Sequence, residues 1–114
     1  MMAVAAGGAL ALFHLRTWGD GRRPPVWAGV LHGLVGATGL GLVAWLLGGP
    51  PRGLRSGTAG FGMVSAVLLA AALCVGLTIP ATRRRRGLSA TIIGIHAGLA
   101  ITGFVVFLAW ASFD

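Results

Sequence analysis

Lysine, glutamate, asparagine, glutamine and tyrosine are all missing from this 114-residue chain, and its only acids are Asp20 and Asp114. Charged residues make up 10% of the sequence, against about 25% in a soluble domain. So little charge cannot clothe a water-facing surface, which places the chain in lipid. The shortage of acids excludes chemistry as well. A hydrolytic site lacks an acid to orient a histidine, and no serine or cysteine stands at an elbow beside one. A zinc site would have at most three histidines and no carboxylate nearby. Cys74 is the single cysteine. It forms no internal disulfide, is silent about redox compartment, and reads as a small core residue of an apolar segment.

What charge there is has one sign. All nine basic residues are arginine, and the net charge is +7. Such a balance raises nucleic acid as a partner, but these arginines sit between apolar runs, where membrane topology uses them. Nucleic-acid binding is therefore set aside.

Hydrophobic residues supply 56% of the chain, enough for about four spans of roughly 20 residues each. Four apolar runs are readable, at residues 2–15, 26–47, 59–79 and 88–113. Each is expected to be helical, because lipid cannot satisfy an open backbone. The first is short, so it is tilted or frayed, or the true start lies upstream; it has no basic region or cleavage region of a signal peptide. Pro24 and Pro25 precede the second run, where a helix start tolerates them. Gly48, Gly49, Pro50 and Pro51 end it, and Pro80 with Arg83 to Arg86 ends the third.

The first and third connections hold Arg16, Arg22, Arg23 and Arg83 to Arg86, and the middle one only Arg52 and Arg55. The positive-inside rule then puts both termini on the non-cytoplasmic side of a bacterial-type inner membrane. Trp18 and Trp27 fall at one interface and Trp45 and Trp110 at the other, as an aromatic belt.

The second and fourth runs resemble each other. His32 is followed by Thr38-Gly39 and His96 by Thr102-Gly103 at the same spacing, and both runs continue to Ala-Trp, at Ala44-Trp45 and Ala109-Trp110. The expected fold is therefore all-α: a four-helix transmembrane bundle, one membrane domain of two similar hairpins (residues 1–48 and 59–114). A parallel repeat of this kind has a pseudo-two-fold axis along the membrane normal. Counted from Arg23 and Arg86, His32 and His96 would both lie about 14 Å inside the bilayer.

An ionisable residue inside the membrane is a functional candidate, and three readings stand side by side. The first is bis-histidine ligation of one haem b by His32 and His96. Small residues at helical spacing, Gly29, Gly36 and Gly39 around His32 and Ala100 and Gly103 beyond His96, would make room for a flat macrocycle. Arg23, Arg86 or Arg16 would pair with its propionates. The second makes the histidines structural, each bonded to a threonine or carbonyl of a neighbouring helix, with glycines permitting close packing. The third is a proton relay, quinone site or transport pathway. His14, two residues before Arg16, snorkels to water, contacts a propionate, or replaces an axial ligand. Thr38 and Thr102 are expected to bond back to their own helices, and Ser65 and Ser89 carry no specific signal.

This layout of spans, paired histidines and arginines at one face resembles the small four-helix membrane cytochromes of the b561 type. The resemblance implies haem b and electron transfer, with a quinone pool or a larger respiratory complex as partner. That family holds two haems on four histidines; this chain has three, so only His32 and His96 carry over as a pair. Small multidrug transporters are excluded, since they need a membrane-embedded carboxylate, and so are fluoride channels, which rely on pore-lining asparagine. The expected function is an electron carrier. The alternative is a non-catalytic accessory subunit of a larger membrane complex, and self-association is compatible with both.

Overall fold

The structure, a computed structural model, describes residues 25–82 and 84–113. They form three helices and no strand: α1 Val26–Leu47, α2 Phe61–Thr82 and α3 Arg86–Ser112. All three are long and apolar enough to cross a membrane, and each is apolar on every side, as expected of segments that meet lipid or other helices rather than water. The chain is a multi-pass membrane protein.

The four-helix, two-hairpin expectation is corrected: three helices are present among the described residues. The expected first span, residues 2–15, lies outside them, as do His14, Arg16, Arg23 and Arg83. As a sequence, that run holds 14 residues, fewer than the about 20 that a helical span needs.

By compactness the chain divides into two units, Met1–Gly39 and Leu40–Asp114, with the boundary inside α1. The first unit contributes the earlier part of α1, where Ala28 is fully buried and His32 is exposed. There Thr38 Oγ1 donates to the Leu34 carbonyl at 2.8 Å, the back-bond expected of a threonine inside a membrane helix.

The second unit is built on a hairpin of α2 and α3, which pack against each other. Entry to α2 is set by a compact loop. Gly53 and Gly57 both take positive φ, 74° and 72°. The Thr58 N–H donates to the Gly53 carbonyl at 2.9 Å, and the Phe61 N–H to the Thr58 carbonyl at 2.9 Å. Gly53 is needed twice over, because a Cβ there would also run into Thr58.

Pro80 does not end α2, which continues to Thr82. Proline lacks the N–H that would reach the Gly76 carbonyl, a gap that membrane helices tolerate. Thr78 and Thr82 donate their hydroxyls to the Val75 and Ile79 carbonyls at 2.7 and 3.0 Å. Cys74, expected in the core, is exposed on α2. Trp110, expected in an interfacial belt, is buried at 3% exposure, whereas Trp45 is 77% exposed.

Candidate functional site

Lipid tails are as apolar as leucine, so helices in a bilayer are held by close packing and interhelical hydrogen bonds. The seam between α2 and α3 is made of both. Along α2 the seam residues are Gly62, Ser65, Leu69, Ala72 and Gly76; their spacing alternates three and four, the pattern of a stripe that keeps facing one partner. Along α3 the partners are His96, Gly103 and Trp110, seven apart. Gly62 meets Trp110, Ser65 and Leu69 meet Gly103, and Ala72 and Gly76 meet His96, so the two helices run antiparallel.

Each contact has its own cause. At Gly62 an added Cβ would lie 2.7 Å from the Trp110 ring and 2.8 Å from Leu47 Cδ2; only glycine lets the indole lie against the backbone. Trp110 continues an aromatic row on α3, with Phe107 at 6.2 Å between ring centroids and Phe104 a further 6.5 Å from Phe107. Ser65, fully buried, donates its hydroxyl to the Gly103 carbonyl at 2.8 Å. A Cβ on Gly103 would stand 3.1 Å from Leu68 and Leu69.

The site of greatest chemical interest is His96. Its Nδ1 lies 2.8 Å from the Ala72 carbonyl. A carbonyl only accepts, so Nδ1 carries the hydrogen, and in the neutral ring Nε2 holds the lone pair. Gly76, one helical turn beyond Ala72, leaves room for the ring: a Cβ there would be 2.9 Å from both Cε1 and Nδ1. The imidazole is therefore oriented by two α2 positions, one supplying a bond and the other supplying space.

The remaining expected site residues are placed as follows. His32 belongs to the first unit and His96 to the second, and each is described within its own unit. No described atom outside α1's own nearby backbone approaches within 4 Å of a Cβ built on Gly29, Gly36 or Gly39. Ala100 is half-buried on α3. Gly103 serves the α2–α3 seam, its open side filled by leucines of α2. Arg86 opens α3, while Arg23 and His14 lie outside the described residues. Among the described residues no group of three or more histidine, cysteine or acidic side chains converges as a metal site.

Ser65, Ala72, Gly76 and Trp110 are the participants that sequence reasoning missed. A signal was available: small residues at 62, 65, 72 and 76 recur at the three-and-four spacing of a packing stripe. No protein family, no curated protein and no solved structure matches the chain.

Proposed function

We propose that this chain is a small non-catalytic membrane subunit, a helical packing element of a larger membrane assembly, with His96 as a clamp between α2 and α3. The hydrogen bond from His96 Nδ1 to the Ala72 carbonyl carries this reading. It occupies the one histidine of the packed hairpin in holding two helices together, and Gly76 is fitted to it. Helices that are apolar on every side suit burial among other membrane helices equally well.

A second reading, one haem b and electron transfer, is favoured by the chemistry of the same bond. Histidines that ligate metals commonly donate their other ring nitrogen to a carbonyl, which sets the tautomer and aims the ring. His96 meets that requirement through Nδ1, so Nε2 would be the ligating atom. His32 would be the second ligand, and the haem would supply a one-electron redox centre.

The visible spectrum of protein expressed with ample haem separates the two. A colourless protein that loses hairpin stability in His96→Ala supports the packing subunit. A b-type Soret band with sharp α and β bands on reduction, lost in both His32→Ala and His96→Ala, replaces that reading with the haem protein.

A further inference from the structure

Four consecutive arginines, Arg83 to Arg86, stand where the chain passes from α2 to α3. Arg84 and Arg85 are both exposed. The connection is short: α2 ends at Thr82 and α3 begins at Arg86, which leaves positions 83–85 between them. The Arg85 N–H donates to the Thr82 carbonyl at 2.9 Å, and the Thr82 hydroxyl donates to the Ile79 carbonyl, so carbonyls closing α2 are turned to donors of this chain. The start of α3 differs. Its N-cap, Arg85, makes no side-chain cap bond, and its first turn holds no acid. Gly87 leaves that turn uncovered: beyond its neighbours and α3's own nearby backbone, no described atom lies within 4 Å of a Cβ built there.

Depth decides which anion these arginines meet. The 22 residues of α2 rise about 33 Å, close to the roughly 30 Å hydrocarbon thickness, and headgroups add about 5–7 Å on each side. Three residues that leave one helix and return to the next reach at most about 7 Å beyond the helix ends. The turn is therefore held within the headgroup layer, where the anion at hand is the lipid phosphate. A guanidinium is permanently charged and pairs with phosphate through two parallel N–H bonds. The positive end of the α3 dipole lies at the same turn and adds to the attraction. Clustered arginines beside a membrane helix favour anionic lipid by about fivefold per residue.

We propose that the turn between α2 and α3 is a binding surface for anionic phospholipid, with Arg84 and Arg85 taking the phosphate and the uncapped start of α3 facing the same charge. Leu88, 46% exposed, follows Gly87 and offers apolar contact to the first acyl carbons. Arg52 and Arg55 supply the internal comparison. They are also exposed and carry the same charge, but they are not consecutive, and the connection between α1 and α2 that holds them is longer, at positions 48–60.

Native mass spectrometry of the detergent-solubilised protein tests this with phosphatidylglycerol, phosphatidylcholine of the same acyl chains and inorganic phosphate added separately. Phosphatidylglycerol should bind about 25-fold tighter than phosphatidylcholine, fivefold for each of the two arginines. That preference should fall about fivefold in Arg84→Gln and in Arg85→Gln, and should vanish when both are replaced. Replacing Arg52 and Arg55 together by glutamine removes the same charge and should keep most of it. Equal losses in the two double variants would reduce the effect to net charge and overturn the site. A wild-type protein without the preference would overturn it too and assign the arginines to a protein partner. Inorganic phosphate binding as tightly as the lipid would replace the lipid surface with a small-anion site. Arg84 and Arg85 are exposed, so the fold should survive in each variant, which an unchanged helical circular dichroism spectrum verifies.

Discussion

Gly76 of α2 lies directly beneath the His96 ring of α3: a Cβ at Gly76 would stand 2.9 Å from His96 Nδ1, the same atom that bonds the Ala72 carbonyl at 2.8 Å. A side chain at 76 and the interhelical bond are therefore mutually exclusive unless the ring moves.

Coupling between these two positions follows. Gly76→Ala should destabilise the hairpin by about 1–2 kcal/mol, the scale of a lost interhelical hydrogen bond plus some overpacking. In a His96→Ala background the ring is gone, so Gly76→Ala should cost little. Reversible unfolding in mixed micelles, run as a double-mutant cycle, measures this. Additive costs would break the proposed link.

Ser65 should matter through its bond rather than its bulk. Ser65→Ala removes the donor to Gly103 and should cost about 0.6 kcal/mol, the average for membrane hydrogen bonds. Ser65→Val adds volume at a fully buried position and should cost more, about 1–3 kcal/mol. The same unfolding assay ranks the two.

In the loop, alanine at Gly53 should be worse than alanine at Gly57. Both positions have positive φ, which costs a side chain about 1–2 kcal/mol. Only at Gly53 would the new Cβ also collide with Thr58; at Gly57 no described atom lies within 4 Å. Protease cleavage at the loop, compared between the two variants, should be faster for Gly53→Ala.

Topology is testable at the two ends of α2. By the positive-inside rule, Arg83 to Arg86 are expected in the cytoplasm and Arg52 and Arg55 outside. In a Cys74→Ala background, Ser56→Cys should react with an impermeant maleimide on intact cells, and Arg84→Cys only after permeabilisation. The reverse pattern would invert the orientation.

Much of the fold was legible. The second apolar run, 26–47, coincides with α1, because prolines and glycines mark both of its ends and act locally. The other two runs were found with ends shifted by a few residues. Pro80 misled because membrane helices tolerate an internal proline, and α2 runs on to Thr82. Cys74 was misplaced, and the inward face of Trp110 was not foreseen, for a related reason: in a segment apolar on every side, no periodicity tells the seam from the lipid face.

The candidate site was half legible. An ionisable residue in an apolar run was enough to single out His96, and the matching His-Thr-Gly spacing drew attention to it. Its partners were not visible, because Ala72 contributes a backbone carbonyl and Gly76 contributes the absence of a side chain.

Composition and run length alone determined that this chain is helical and membrane-embedded, since lipid forbids unsatisfied backbone and so few charges cannot face water. The tertiary structure alone decided that α2 and α3 form the packed pair, that Trp110 is turned inward onto Gly62, and that the His96 ring is held by α2. Those outcomes depend on which small residues come to lie opposite which large ones across two helices, a relation between distant positions that no local pattern contains.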